Sequence, residues 1–139
     1  MSDKSIKYRS GYKYQLAEDY NVTVKIKPKD DVDMQFIALD TKGHLTVNSG
    51  YAWDGTSGPV IDTENNLRAS VVHDALYQLM RKKKISRKLY KDKADKLFSK
   101  MCKEDGVLSG VANLYYLALK KFGDPSTDPK NSKKIQAAP

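Results

Sequence analysis

The stretch "ASVVHDALY", residues 69–77, decides the fold of the second half of the chain, because it combines an apolar helical face with three polar side chains. Its apolar residues recur at helical spacing as far as Met80, which predicts a helix over residues 66–81. His73 and Tyr77 are one turn apart at the border of that face, and Asp74 points further round. Packing alone would be served by leucine here, so the stretch also indicates a site.

Two more helical patterns follow. One spans residues 87–104 behind Ser86, a candidate N-cap, and the other spans residues 109–122 and ends at Gly123. The short connection between the first two helices predicts that they are antiparallel neighbours. The third pattern predicts a buried face formed by Val111, Leu114, Tyr115, Ala118, Leu119 and Phe122.

The first half of the chain is typical of strands. Residues 22–26 alternate apolar and polar, and residues 40–43 separate two apolar runs as a hairpin turn would. His44 follows this turn, and we expect it to be exposed and without a partner. Strands before helices indicate an α+β fold, with an N-terminal antiparallel β-sheet of hairpins followed by a three-helix region containing an antiparallel helix pair.

Length and composition set the organisation of the chain. With 139 residues we expect a flexible N-terminus over residues 1–10, a single domain over 11–123 and a disordered tail over 124–139. One cysteine excludes an internal disulfide framework and suggests a buried thiol, and one cysteine with two histidines cannot form a zinc cluster. The chain has no apolar run typical of a signal peptide or transmembrane segment, so we expect a soluble, cytoplasmic protein.

The net charge of +8 comes from one segment. Residues 80–104 hold eleven Lys and Arg side chains against three Asp and Glu, and the rest of the chain is neutral. This density is compatible with weak, non-specific binding of polyanions through residues 81–103. The alternative is a solvated helical face without a partner.

Helix geometry predicts a contact between His73 and Asp95. His73 lies eight residues before Arg81 and Asp95 lies nine after Ser86, so they stand about 12 Å and about 13.5 Å from the same turn. A carboxylate at this place would fix the imidazole tautomer and raise its basicity, as a general base requires, and Tyr77 could hold that carboxylate. The alternative is a bridge that only satisfies two buried polar groups.

The loop before the first helix suggests a cation site. Asp54, Gly55 and Gly58 offer a carboxylate and backbone carbonyls, and Asp74 adds a second carboxylate. Oxygen ligands of this kind suit calcium or magnesium. The alternative is a tight connection whose glycines adopt positive φ.

Five short motifs between residues 50 and 123 form a set. They are Asp54-Gly55-x-Ser57 with Pro59, Val72-His73-Asp74-x-Leu76-Tyr77, Ala94-Asp95-x-x-Phe98, Gly106-Val107 and Phe122-Gly123. As a set they resemble an uncharacterised family of small proteins from tailed phages and prophages. The resemblance implies a viral protein of the host cytoplasm or the virion, and no established activity.

The spacing His73-Asp74-x-x-Tyr77 also resembles the catalytic helix of secreted phospholipases of the A-two type. That resemblance implies that His73 activates water, that Asp95 orients His73 and that Tyr77 bonds to Asp95. It further implies that Asp74 binds calcium with loop carbonyls near Gly55 and Gly58. Those enzymes are rich in disulfides, and this chain has one cysteine.

The sequence is therefore compatible with two functions. The first is a phage-encoded, hydrolase-like protein with a His73 and Asp95 dyad that cleaves an ester or phosphoester, with a metal at Asp74 and Asp54. The second is a non-enzymatic phage accessory or virion protein that binds a protein or nucleic-acid partner. A pocket beside His73 favours chemistry, whereas a sealed cluster favours a structural role.

Overall fold

The structure is a computed structural model that describes residues 5–6, 8–10, 13–56, 60–129 and 136–137. Contacts within the chain divide it into two compact units: a β unit, Met1–Asp54 with Lys134–Pro139, and a helical unit, Gly55–Lys133. Antiparallel strands come first and helices second, which confirms the α+β class. The expectation that residues 11–123 act as a single domain stays a prediction.

The β unit consists of two four-stranded antiparallel sheets, ordered β1-β2-β7-β8 and β3-β6-β5-β4. The strands are β1 (Tyr8–Ser10), β2 (Tyr14–Leu16), β3 (Tyr20–Thr23), β4 (Val32–Asp33), β5 (Ile37–Leu39), β6 (His44–Val47), β7 (Tyr51–Trp53) and β8 (Gln136–Ala137). In the second sheet, Leu39 pairs with Leu45 and Ile37 with Val47, and all four side chains are buried.

The predicted hairpin at residues 40–43 is confirmed as the β5–β6 connection. Gly43 has φ +88 at this turn, and a Cβ there would collide with the backbone of Val24. His44 is exposed as expected, but the prediction that it lacks a partner is wrong. Its Nδ1 lies 2.8 Å from Asp40 Oδ2, because the Asp40 side chain folds back across the turn.

The helical unit contains α1 (Leu67–Arg81), α2 (Arg87–Glu104), α3 (Ser109–Phe122) and α4 (Asp124–Thr127). The predicted bounds of the first three helices agree to within one residue. Ser86 caps α2, since its Oγ accepts the Leu89 N–H at 3.1 Å. Burial of Cys102 on this helix raises its pKa to about 12, so the thiol stays protonated. No described helix is long and apolar enough to span a membrane.

Helix α1 is buried almost all round, so the prediction that His73 and Tyr77 lie at a border is wrong. The helix packs against α2 and α4 within its unit, and even its polar side chains are enclosed. Arg68, for example, is buried and bonds to Glu104 at 2.8 Å and to Asp105 at 2.9 Å. An apolar arc alone underestimated the buried face, because paired polar side chains are buried as well.

The face of α3 that packs overlaps the predicted one only in part, since Leu119 is buried as predicted. Val111, Leu114 and Phe122 are exposed, whereas the helix packs through Ala112 and Leu119. Ser99 on α2 donates to the Ala112 carbonyl at 2.8 Å, a close approach that a small residue permits. Periodicity revealed an apolar stripe on α3 but did not show which face meets α2.

The region predicted as a disordered tail contains regular structure in its described parts. Asp124–Thr127 forms α4, with Pro125 in its first turn, and Arg81 donates to the Ser126 carbonyl at 2.5 Å. Gln136–Ala137 pairs with β7. The remaining predictions of flexibility, for residues 1–4, 7, 11–12, 130–135 and 138–139, lie outside the described residues.

Candidate active site

His73 on α1 and Asp95 on α2 are in direct contact, as helix geometry predicted. His73 Nε2 lies 2.8 Å from Asp95 Oδ1, and the side chains are 3% and 0% exposed, respectively. An ionised carboxylate only accepts hydrogen bonds, so Nε2 is the nitrogen that donates. The contact fixes which ring nitrogen carries the proton.

Tyr77 holds the same carboxylate. Its hydroxyl donates to Asp95 Oδ1 at 2.5 Å, and its ring centroid lies 3.9 Å from that of His73. Burial, followed by the nearby charge of Asp95, raises the pKa of Tyr77 well above its usual value. The hydroxyl therefore keeps its proton and remains a donor.

Lys91 completes the set of partners and was not predicted from the sequence. Its Nζ donates to Asp95 Oδ2 at 2.8 Å and to the Leu119 carbonyl of α3 at 3.1 Å. It also lies 3.5 Å from Asp124 of α4. The available signal was spacing, because a lysine four residues before an aspartate shares its helix face. Lys91 thus ties Asp95 to two further elements.

The balance of these contacts keeps Asp95 ionised. Burial by itself would raise the pKa of Asp95, but the hydrogen bond from His73 opposes this effect, and the hydrogen bonds from Lys91 and Tyr77 add to that opposition. The net effect is a pKa below the usual value of an aspartate. The site is therefore an enclosed carboxylate with three donors, which we call the Asp95 cluster: His73, Tyr77, Lys91 and Asp95.

The second ring nitrogen of His73 is not used by the cluster. Nδ1 has no hydrogen-bond partner among the described residues. Phe98 borders the ring edge-on at a centroid distance of 5.3 Å. Nε2 is thus held by Asp95, whereas Nδ1 is unpaired among the described residues in a side chain that is 3% exposed.

Gly123 closes the cluster at the end of α3. A Cβ at this position would lie 2.5 Å from Tyr77 Oη and 2.6 Å from the Leu119 carbonyl, both too short for real contacts. The φ of Gly123 is −81, so a left-handed conformation is not the reason for glycine. The sequence predicts only a helix stop at Gly123, whereas the structure shows a close approach to Tyr77.

The predicted cation site of Asp54, Gly55, Gly58 and Asp74 stays a prediction, because Gly58 lies outside the described residues. Asp54 is exposed in the β unit, Asp74 is half-buried on α1 with an interaction of its own, and Gly58 lies outside the described residues. Gly55 has φ +88 and packs against Asp62, whose carboxylate accepts the Thr56 N–H at 2.7 Å. In the described ranges no three His, Cys, Asp or Glu side chains form a metal-binding group.

Fold and site together define an α+β protein whose helical unit encloses a bonded Asp and His pair. A family model described as "Protein of unknown function (DUF1353)" matches residues 31–119, so the chain belongs to that family. The match includes all four residues of the Asp95 cluster, and Gly123 lies beyond it. Comparison with curated proteins and with solved structures gave no significant match.

Proposed function

We propose that the chain is a small, phage-encoded, hydrolase-like protein in which His73 acts as the general base on an ester or phosphoester. The observation that supports this is that the two imidazole nitrogens differ in their contacts. Nε2 donates to buried Asp95, and Nδ1 has no partner among the described residues. A general base needs a fixed tautomer and a free lone pair, and this arrangement supplies both.

The roles of the neighbours follow from their contacts. Asp95 orients His73 and would stabilise the imidazolium formed when Nδ1 takes a proton from water. Tyr77 and Lys91 are positioning residues, because each bonds to Asp95 and holds its carboxylate. Since His73 is only 3% exposed, a substrate reaches Nδ1 through a local opening of the helical unit. Calcium or magnesium at Asp74 and Asp54 remains part of the same proposal, and the assay with added metal tests it.

The test is hydrolysis of p-nitrophenyl esters and bis-p-nitrophenyl phosphate by the parent, His73→Gln and His44→Gln. His44 is the matched control, since it is the other histidine and also bonds to an aspartate. We expect His73→Gln to lose about 100-fold or more in rate and His44→Gln to retain the parental rate. The assay is repeated with calcium, magnesium and a chelator. Equal rates in the two variants would contradict the proposal.

A second candidate is a non-enzymatic phage accessory or virion protein that contacts a protein or nucleic-acid partner in the host cytoplasm or the virion. Two observations favour it: the Asp95 cluster is enclosed, and α3 exposes an apolar face that includes Leu114, 64% exposed, and Leu117. Exposed apolar patches are typical of interaction surfaces. Absence of hydrolysis by the folded parent, with a loss of about 3 kcal/mol or more in His73→Ala, would support this candidate.

A further inference from the structure

A cleft between α2 and α3 lies away from the Asp95 cluster. Its volume is about 280 Å³, and its walls are formed by Lys96, Ser99, Lys100, Lys103, Asn113 and Tyr116. Lys96 follows Asp95 directly and therefore points about 100° round α2 from it. None of the four residues of the Asp95 cluster lines the cleft, so the cleft takes no part in the function proposed above.

The charge of the cleft is one-sided. Lys96, Lys100 and Lys103 follow the spacing i, i+4 and i+7, so their ammonium groups share one stripe of α2. Lys96 pairs with Asp92 at 3.2 Å, whereas Lys100 and Lys103 have no ion-pair partner among the described residues. None of the lining residues is acidic. An anion in the cleft would neutralise two uncompensated charges.

The other wall supplies a neutral donor. Asn113 on α3 lines the cleft, and its side-chain amide has no hydrogen-bond partner among the described residues. The two hydroxyls are already engaged, since Ser99 donates to the Ala112 carbonyl and Tyr116 donates to Asp92. A ligand would therefore meet two ammonium groups from α2 and one amide from α3.

We propose that this cleft binds a phosphate group. A phosphate carries the charge and the acceptor oxygens that ammonium and amide donors require, and lysine is a common phosphate ligand. The volume leaves space beside the phosphate for the group that carries it. A nucleotide, a nucleic-acid backbone and a lipid headgroup share this chemistry.

The first experiment titrates inorganic pyrophosphate at constant ionic strength into the full chain and follows backbone amide shifts by NMR. The cleft variant is Lys100→Gln with Lys103→Gln. The matched control is Lys84→Gln with Lys88→Gln, which removes the same charge from exposed lysines of the same basic segment. We expect binding to weaken about tenfold in the cleft variant and less than about twofold in the control. Far-ultraviolet circular dichroism verifies that both variants fold.

Three further arms distinguish the sources of the phosphate: ADP, a short DNA duplex, and vesicles of phosphatidylglycerol and phosphatidylcholine. The source is the ligand whose binding falls selectively in the cleft variant. Asn113→Ala, which leaves the charge unchanged, should weaken the same ligand about threefold. Equal losses in cleft and control variants for every ligand would show diffuse attraction by the basic segment and overturn the proposal, as would absence of pyrophosphate binding by the parent.

Discussion

Helix α2 carries two aspartates, three residues apart, that have the same kinds of partner in opposite surroundings. Each accepts a hydrogen bond from a tyrosine hydroxyl and pairs with a lysine four residues away on α2. The buried set is Asp95 with Tyr77 and Lys91, and the surface set is Asp92 with Tyr116 and Lys96. Asp95 is 0% exposed and Asp92 is 51% exposed.

This difference shows how surroundings change the consequence of one set of contacts. Both aspartates have a lowered pKa, but Asp92 owes it first to the bond from Tyr116, whereas Asp95 must first overcome the effect of burial. At the surface, water competes for every partner and screens the charges. In the interior the partners cannot be replaced by water, so only the buried set can hold His73 in one orientation.

The largest expected effect comes from removing each carboxylate in turn. Asp95→Ala leaves His73, Tyr77 and Lys91 without their acceptor in the interior, and we expect the free energy of unfolding to fall by about 3–5 kcal/mol. Asp92→Ala should change it by less than about 1 kcal/mol. Urea unfolding of both variants measures the two losses in the free energy of unfolding. Similar losses of stability for the two variants would mean that burial does not make the Asp95 contacts more stabilising than the Asp92 contacts.

The hydroxyl groups provide the second comparison. Tyr77→Phe removes one hydrogen bond to a buried charge and should cost about 1.5–3 kcal/mol, whereas Tyr116→Phe should cost less than about 0.5 kcal/mol. The same unfolding experiment applies. A loss for Tyr77→Phe as small as that for Tyr116→Phe would show that Asp95 does not depend on this hydroxyl.

Two glycines test how closely the buried set is enclosed. Gly123→Ala places a Cβ 2.5 Å from Tyr77 Oη, and we expect a loss of about 1–3 kcal/mol. Gly110 on α3 has nothing within 4 Å of such a Cβ, so Gly110→Ala should stabilise the protein by about 0.5–1 kcal/mol. Thermal unfolding shows whether each variant is more or less stable than the parent. A neutral Gly123→Ala would mean that the contact relaxes at little cost.

The pH dependence of stability is the smallest effect and sharpens the same comparison. The pKa of Asp95 is lower in the folded protein than in the unfolded chain, so its contribution is complete above about pH 4 and is lost as the pH falls through the folded value. The stability difference between the parent and Asp95→Asn should therefore shrink from about pH 5 to about pH 2. Asp92→Asn should show the same trend with a smaller amplitude, because water screens Asp92. If the stability difference between the parent and Asp95→Asn grew on acidification, the pKa of Asp95 would not be lowered by folding.

Local spacing predicted much of the helical unit. Helix bounds, the Ser86 cap and the contact of His73 with Asp95 all follow from rules that act within one helix or across one short turn. The buried state of His73 did not follow, because it depends on how many elements surround α1. The partner of His44 was missed for the opposite reason, since Asp40 is close in sequence but bonds only when the hairpin turn has formed.

The remaining misses concern contacts between helices. The apolar stripe of α3 predicted only part of the buried face: Leu119 is buried as expected, but the helix also packs through the small residue Ala112 and leaves Leu114 exposed. Lys91 was counted as part of a solvated charge run, although its spacing from Asp95 was visible in the sequence. Gly123 was assigned to a helix stop because a close approach to Tyr77 is not encoded in local sequence.

The state of the His73 ring tests the central claim most directly. Only two histidines are present, so a His44→Gln variant leaves a single imidazole whose two nitrogens can be observed by nitrogen-15 NMR. At neutral pH we expect a protonated Nε2 that donates to Asp95 and an unprotonated Nδ1 with a free lone pair, as a general base requires. A ring protonated on both nitrogens at that pH would identify His73 as a counter-ion of Asp95 and contradict the catalytic role.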